Sequence, residues 1–299
     1  CRGHMKDVRI MVEQVGALVS GSGAAIPPGD MVFTTKTVNA VTDDFLEGEF
    51  EGLKYNLFIP KNYDGNKSYP LVHFIVDSWG VGPDCKVTLA QGLGGTVWAF
   101  PQEQAKRECF VLSPQFPGPT IVEDDYSVAD ALETAKRLID HVVGAYRIDR
   151  SRIYHTGQSM GYLAGCELNI RYPDLFAGCL FVSGFWNPET MTALKDKNIW
   201  FLVSAGDHAR QKMDAAIANL EAGGADVARY AWDAAEGVGA IDEKVRDACK
   251  EWHRIRYTVF DKGSAEAATY PYGDHRATWL FCYQVEALRE WLFSTRKDA

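Results

Sequence analysis

A short apolar segment that runs directly into the pattern Gly-x-Ser-x-Gly places the strongest constraint on this chain. The segment is Arg152-Ile-Tyr-His-Thr156, and the pattern spans Gly157 to Gly161 with Ser159 at its centre. A serine on a sharp strand-to-helix turn has a strained backbone, and the residues two positions before and after it crowd each other, so both must lack a side chain. The sequence therefore predicts a nucleophile elbow between a buried strand and a helix.

The residues that follow Ser159 carry the pattern of a helix packed closely on that strand. One helical face of the segment from Met160 to Ile170 holds apolar and small residues, among them Leu163 and Leu168. Gly161 and Gly165 would let this face approach the strand. An ordinary tight turn does not require such a helix, so the context favours the elbow.

Composition and charge fit a protein with a substantial buried core. The chain has 299 residues, of which 46% are hydrophobic, enough for one large domain or two small ones. A net charge of -9 argues against nucleic-acid and anionic-membrane partners, because both require clustered Lys and Arg. No apolar run approaches a membrane span, no signal peptide is evident, and residues 1–5 are interpreted as a cloning remnant. The expected partner is a small molecule, and the oligomeric state stays open.

Three of the seven cysteines are interpreted as reduced thiols. Cys109 and Cys179 fall in predicted core strands and Cys166 in the helix after the serine, where a thiol behaves as a small hydrophobic group. No Cys-x-x-Cys pair occurs, and a disulfide between Cys85 and Cys249 is the open alternative. This usage favours a cytoplasmic protein, with secretion as the alternative. No His, Cys or carboxylate group has recognisable metal-ligand spacing, so no metal or cofactor is predicted.

The apolar pattern divides the chain into a β preface and a larger α/β domain. Residues 6–48 are predicted as an N-terminal β extension with strands at 7–13 and 31–38. In residues 49–299, buried strands alternate with helices, which predicts a mostly parallel sheet with helices on both faces. The predicted strands are 53–59, 71–76, 109–113, 152–156, 179–183, 199–204 and 255–260. The predicted helices are 127–145, 160–171, 210–222 and 278–293.

A serine hydroxyl is a poor nucleophile at neutral pH, so a base and an acid are expected downstream of Ser159. Asp207 directly follows the predicted strand 199–204, and His275 lies between the last predicted strand and the closing helix. These positions predict Ser159 as nucleophile, His275 as base and Asp207 as acid. The alternatives left open are His208 and His253 for the base, and Asp233, Glu236 and Asp274 for the acid.

Several segments together resemble one group of α/β-hydrolases. They are Leu53-Lys-Tyr-Asn-Leu-Phe-Ile-Pro-Lys-Asn-Tyr63, Tyr69-Pro-Leu-Val72, Tyr146-Arg-Ile-Asp-Arg-Ser-Arg-Ile-Tyr154, Gly157-Gln-Ser-Met-Gly161 and Arg171-Tyr-Pro-Asp-Leu-Phe-Ala177. The group contains feruloyl esterases, acetyl xylan esterases and polyhydroxybutyrate depolymerases, and its members are often labelled predicted peptidases. The resemblance implies the α/β-hydrolase fold and a serine carboxylic ester hydrolase with Ser159, Asp207 and His275 as its triad.

The segment Val76-Asp-Ser-Trp-Gly80 departs from the pattern of this group, which has His-Gly followed by small residues. The loop normally donates one oxyanion-hole N–H, and the residue after the nucleophile donates the other, so the resemblance implies Ser78 and Met160. A carboxylate of Asp77 that faced inward would be unfavourable beside a developing oxyanion and would place activity in doubt. We therefore expect Asp77 to face outward or to be hydrogen-bonded.

Residues 233–253 form a longer connection than the group usually has. Ile241, Val245, Cys249 and Trp252 would lie on one face of an amphipathic helix. Two interpretations follow: the segment is a surface insertion away from the site, or it is a lid over the site.

The resemblance implies esters of small or aromatic, feruloyl-like acids as substrates. Trp79, Tyr162 and Trp186 fall near the predicted strand ends, where an acyl ring could stack. A serine peptidase of the same fold is one alternative. A non-catalytic binding protein, suggested by Asp77, is the other.

Overall fold

The computed structural model describes residues 41–269 and 271–297. The strands predicted at 7–13 and 31–38, and with them most of the extension 6–48, lie outside these residues. Residues 46–48 belong to the first described strand, β1 (Leu46–Phe50), which pairs antiparallel with β2 (Leu53–Phe58). Glu51 and Gly52 join them with positive φ angles of 49° and 79°, as a two-residue hairpin turn requires. The end of the extension is thus part of the main sheet.

The described residues form a single nine-stranded sheet in the order β1-β2-β4-β3-β5-β6-β7-β9-β8. The remaining strands are β3 (Tyr69–Ile75), β4 (Phe110–Gln115), β5 (Ile148–Gln158), β6 (Gly178–Val182), β7 (Ile199–Ser204), β8 (Val227–Trp232) and β9 (Ile255–Phe260). Every neighbouring pair from β4 to β8 in this order is parallel. The predicted mostly parallel sheet is therefore confirmed, and its carboxyl edge is where such sheets place their sites.

Helices cover the sheet, and most residues of the central strands are buried; every residue of β3 and β7 is buried. This explains why the sequence shows these strands as continuous apolar runs. The helices are α1 (Pro101–Lys106), α2 (Ala131–Ala145), α3 (Met160–Arg171), α4 (Arg210–Ala222), α5 (Val238–Ala248), α6 (Ser264–Ala268), α7 (Asp274–Cys282) and α8 (Glu286–Ser294). Within the described ranges, no helix has the length and apolar character needed to cross a membrane.

Strand β8 was not predicted from the sequence. It lies at the edge of the sheet, and only Trp232 among its six residues is buried. Arg229, in the middle of β8, forms an ion pair with Glu221 on the surface at 2.8 Å. An edge strand with polar and small exposed residues lacks the apolar run that marks the central strands, so its pattern gives little signal.

Residues 233–253 connect β8 to its parallel neighbour β9, and α5 is the crossover helix of this unit. Parallel neighbours need such a connection, so its length has a topological reason. Ile241 and Val245, half of the predicted apolar face, are fully buried in the core. The prediction is wrong for the other two residues of that face, because Cys249 follows the end of the helix and is exposed, and Trp252 is 62% exposed.

Polar contacts fix α5 against α8. The Asp242 carboxylate accepts a 2.7 Å hydrogen bond from the Ala287 N–H in the first turn of α8, and Arg246 pairs with Glu290. Ile241 and Val245, which a lid would turn toward the site, are already packed in the core. We interpret 233–253 as a crossover connection, and the lid interpretation does not fit this packing.

The closing helix, predicted as one element over 278–293, consists of two helices. The chain leaves helical geometry at Val285, between α7 and α8. The Tyr283 carbonyl accepts a 2.6 Å hydrogen bond from buried Arg289, and the Asp242 carboxylate described above binds the start of α8. Because these partners come from other turns and another helix, the break does not show in the apolar pattern.

Candidate active site

Ser159 lies at the turn between β5 and α3, where the sequence predicted it. Its φ and ψ are 51° and -115°, outside the regions that ordinary residues adopt. The Ser159 N–H donates to the Val182 carbonyl of the neighbouring strand at 3.0 Å, which holds the turn against the sheet. The side chain is partly exposed, so its hydroxyl is available at the carboxyl edge.

Two glycines make this turn sterically feasible. A Cβ on Gly161 would lie 1.9 Å from the Ile75 carbonyl oxygen of β3, and a Cβ on Gly157 would lie 2.4 Å from the backbone of Gly161. Both atoms are backbone, which cannot move aside without distorting the sheet. The crowding that the sequence pattern predicted is therefore present, and helix α3 lies against strand β3 as a result.

His275 connects the serine to an acid. Its Nε2 lies 3.0 Å from the Ser159 Oγ, and its Nδ1 lies 2.8 and 2.9 Å from the two carboxylate oxygens of Asp207. Asp207 follows β7, whereas His275 occupies the first turn of α7 rather than the loop that the sequence suggested. Ser159 and His275 are 116 residues apart in the chain, and the parallel sheet brings them together at one edge.

Burial and hydrogen bonding have opposite effects on the pKa of the Asp207 carboxyl group. Its side chain is inaccessible to solvent, and this burial alone would raise the pKa of the carboxyl group. The hydrogen bond from His275, its charge, and the Ala209 N–H at 2.8 Å outweigh burial, so the pKa of Asp207 is lowered. The carboxylate therefore stays ionised and holds a proton on the Nδ1 of His275.

The other candidate acids are engaged elsewhere. Asp274 accepts hydrogen bonds from the Ser204 hydroxyl at 2.8 Å and from the Gly263 N–H at 2.9 Å. Asp233 caps a short turn through the Ala235 N–H, and Glu236 pairs with Lys244. None of these four contacts involves a histidine.

Of the two alternative histidines, one lies at the site and the other does not. The His208 ring centroid is 4.4 Å from that of His275, and the Nδ1 of His208 lies 3.3 Å from the Asp207 carboxylate. His253 pairs with Asp226 at 2.9 Å near the opposite end of the strands. His275 therefore contacts both Ser159 and Asp207, while His208 is a neighbour on the solvent side.

The loop after β3 forms a tight turn, Ser78–Gly80, in which Asp77 is the N-cap. The Trp79 N–H donates to the Asp77 carboxylate at 2.8 Å, and the Gly80 N–H donates to the Asp77 carbonyl at 3.0 Å. Met160 begins α3, so its N–H has no acceptor within the helix. Met160 directly follows Ser159, and Ser78 lies in the loop after β3, the strand beside β5 in the sheet.

Asp77 faces inward and is hydrogen-bonded. It is only 2% exposed, and its carboxylate accepts from the Gln91 side-chain amide as well as from Trp79. Gln91 also accepts from the Asp77 N–H at 3.2 Å and from the Gln158 side chain at 3.2 Å. Burial raises the pKa of Asp77, although the hydrogen bonds from Gln91 and Trp79 act in the opposite direction.

Gln91 and Gln158 are site residues that the sequence analysis missed. Gln158 directly precedes Ser159 and is fully buried, so it joins the serine turn to the Asp77 loop through Gln91. The position of Gln158 inside the Gly-x-Ser-x-Gly pattern was a signal that could have identified it. Nothing in the sequence marks Gln91.

The three residues predicted to contact substrate have different surroundings. Trp79 is 63% exposed, and the Arg276 guanidinium lies 5.8 Å from its ring centroid. Trp186 is buried against Tyr126, with ring centroids 5.4 Å apart. Tyr162 is a wrong prediction: it is fully buried and packs its ring 5.0 Å from Phe181 and 5.7 Å from Phe201.

We predict that Gly161→Ala lowers the free energy of unfolding by about 3 kcal/mol or more, because the new methyl would overlap the Ile75 carbonyl oxygen. Gly144→Ala is the matched control, since its Cβ would meet no atom within 4 Å near the end of α2. That control should stabilise the protein by roughly 0.5–1 kcal/mol. Urea unfolding of both variants measures the difference, and equal stabilities would contradict the close approach.

Comparisons with known proteins find similarity among solved structures. No protein-family model matches the chain, and no curated protein matches it. The chain is similar to a thermostable esterase of known structure, with a TM-score of 0.71 and 26% identity over 86% of this chain and 64% of that one. The chain therefore spans 64% of the length of that esterase.

Two further solved structures share the fold at lower identity. One is a serine-to-alanine mutant of the feruloyl esterase module from Clostridium thermocellum, complexed with sinapinate, with a TM-score of 0.56 and 12% identity over 85% of this chain and 89% of that one. The other is a ferulic acid esterase, with a TM-score of 0.53 and 13% identity over 82% and 97%. The parallel sheet, the strand-to-helix turn at Ser159 and these similarities identify the fold of this chain as that of the α/β-hydrolases.

Proposed function

We propose that the protein is a serine carboxylic ester hydrolase that acts through an acyl-enzyme. The observation that carries the proposal is the position of His275, within hydrogen-bond distance of both the Ser159 hydroxyl and the Asp207 carboxylate. A general base in contact with a nucleophile, itself oriented by a third group, is the arrangement that activates a serine. Similarity to a thermostable esterase supports the same reaction class.

In the first half-reaction, Ser159 Oγ attacks the carbonyl carbon of the ester while the Nε2 of His275 accepts the hydroxyl proton. Asp207 keeps the other ring proton on Nδ1 and stabilises the imidazolium that forms. The negative charge moves to the carbonyl oxygen, where the N–H groups of Met160 and Ser78 donate to it. The tetrahedral intermediate then collapses, and His275 returns its proton to the departing alkoxide, which leaves as an alcohol.

In the second half-reaction, water hydrolyses the acyl-enzyme. His275 accepts a proton from the water as its oxygen attacks the acyl carbon, and the same two N–H groups bind the oxyanion again. Collapse of this intermediate breaks the bond to Ser159 Oγ, which regains its proton from His275. The carboxylic acid departs and the free enzyme is restored.

Asp77 does not prevent this chemistry in the proposed enzyme. Its charge is stabilised by two donated hydrogen bonds, from Gln91 and from Trp79, and burial favours its neutral form by raising its pKa. Its role is to hold the turn that presents Ser78. A non-catalytic binding protein is the alternative if this loop no longer stabilises an oxyanion.

Aromatic and small acyl groups are the proposed substrate class. Trp79 belongs to the same turn as Ser78 and exposes 63% of its surface, so an acyl or leaving group bound near the proposed oxyanion site can reach it. The sinapinate complex of the feruloyl esterase module is a property of that protein, and it motivates the choice of aromatic esters for testing. A serine peptidase of the same fold is the alternative within the enzymes.

We expect Ser159→Ala and His275→Ala to lower kcat by about a million-fold, because nucleophile and base act as a unit. Asp207→Asn should lower kcat by about 10,000-fold, because the amide favours the wrong imidazole tautomer. Asp233→Asn is the matched control, since asparagine caps the Ala235 turn as well as aspartate does. Substantial turnover by folded Asp207→Asn, with loss in Asp233→Asn, would show that the acid is misassigned.

Asp77→Ala should lower kcat/KM by roughly 10- to 100-fold, less than the loss of an oxyanion donor itself, because the turn loses the acceptor of the Trp79 N–H. Asp77→Asn keeps that acceptor and should stay within about threefold of the wild type. As pH rises and Asp77 ionises, its charge opposes the oxyanion, so the activity of Asp77→Asn relative to wild type should increase. Equal impairment of both variants would mean that the carboxylate charge is itself required.

A substrate panel separates the three functional candidates. We expect turnover of acetyl and feruloyl or sinapoyl esters, covalent labelling of Ser159 by a fluorophosphonate, and little hydrolysis of peptides. Trp79→Ala should raise KM for the aromatic esters more than for acetyl esters, because only the aromatic acyl groups bury substantial area against the ring. Peptide hydrolysis faster than ester hydrolysis would support the peptidase, and absence of labelling would support the binding protein.

A further inference from the structure

Two imidazoles converge on one carboxylate oxygen at the site. The Nδ1 of His275 lies 2.8 Å from Asp207 Oδ1, and the Nδ1 of His208 lies 3.3 Å from the same oxygen. One ligand atom from each of the three residues lies within 4.8 Å of the other two. The sequence analysis predicted no metal site, because Asp207 and His275 are 68 residues apart and show no ligand spacing.

The geometry points to a divalent-cation site formed by Asp207, His208 and His275, and we propose that zinc bound there inhibits the enzyme. Two imidazole nitrogens and one carboxylate oxygen are a typical ligand set for zinc, with bonds of about 2.0–2.2 Å. Ligand atoms around a tetrahedral zinc then lie about 3.3 Å apart. The 2.8 and 3.3 Å separations measured from Asp207 Oδ1 are close to this value, and binding requires the His275 ring to turn from its hydrogen bond with the carboxylate.

Access to the cluster is from the side of His208. The His208 side chain is 69% exposed, whereas that of His275 is 21% exposed and that of Asp207 is inaccessible. An ion can therefore meet His208 first, and the solvent on that side can supply a water as fourth ligand. His208 contacts the Asp207 carboxylate but takes no part in the proton transfers of the proposed ester hydrolysis. A variant at this position, compared with its own zinc-free activity, therefore tests the metal site separately from the triad.

Inhibition follows from the tautomer that metal binding imposes. In the catalytic arrangement, the single ring proton of neutral His275 is on Nδ1, and the Nε2 lone pair accepts the proton of Ser159. Zinc bound through Nδ1 uses the lone pair of that nitrogen, so the ring proton moves to Nε2 and no proton is lost from the ring. His275 then presents an N–H to the serine and cannot act as its base. The inhibitory consequence rests on the proposed ester hydrolysis, whereas metal binding does not.

Cobalt binding to the catalytically inactive Ser159→Ala protein tests the site without any turnover. We expect one equivalent of Co²⁺ to give the visible absorption of a tetrahedral site, displaced by Zn²⁺. A second substitution, His208→Asn, should weaken binding by at least about tenfold, since it removes a ligand. His253→Asn is the matched control, because His253 also lies between two carboxylates, Asp226 and Glu251. Absent binding, or equal binding by both double variants, would overturn the proposal.

Ester hydrolysis by the otherwise wild-type protein then tests inhibition. Excess ZnCl₂ should lower kcat/KM by about tenfold or more, EDTA should restore it, and His208→Asn should need at least about tenfold more zinc for the same effect. Inhibition of His208→Asn at the wild-type zinc concentration would overturn the inhibitory role. If the protein hydrolyses no ester, the proposed function fails, and the cobalt titration still decides the metal site.

Discussion

The contact on which the site depends is the approach of Gly161 to the backbone of strand β3. The space for a Cβ at this position is occupied by the Ile75 carbonyl oxygen, so only glycine lets α3 begin where it does. That start point fixes the strained turn of Ser159, and Met160 directly follows it as the first residue of α3. This one steric constraint therefore positions both the nucleophile and one proposed oxyanion donor, because both belong to the turn.

His275 contacts residues that follow two different strands of the sheet. Ser159 belongs to the turn after β5, whereas Asp207 follows β7 and His275 lies in the first turn of α7. Because parallel strands end at the same edge, the segments that follow β5 and β7 meet there, and α7 brings His275 into contact with both. The same convergence places His208 beside the pair, so the geometry that orients the proposed base also assembles the proposed zinc ligands.

The loop after β3 holds its position through a polar network around Asp77. Asp77 is buried and would destabilise the loop without partners, but Gln91 and the Trp79 N–H donate to it. Gln158 extends the network to the residue that precedes the nucleophile. The two segments that carry the proposed N–H donors are therefore linked by side chains, and the loop position is coupled to the serine turn.

The sequence by itself determined the central strands, the helices α3 and α4 and the turn at Ser159, because continuous apolar runs and the glycine spacing are local signals. It also placed Asp207 and His275 near strand ends, but it left Asp233, Glu236, Asp274, His208 and His253 as alternatives. Only the tertiary structure decided among them, because contact depends on which strand ends are neighbours. The tertiary structure also decided four other features: the edge strand β8, the crossover role of 233–253, the burial of Tyr162 and the Asp77 network. Each of them depends on packing partners that are distant in the chain, and the local sequence pattern does not encode such partners.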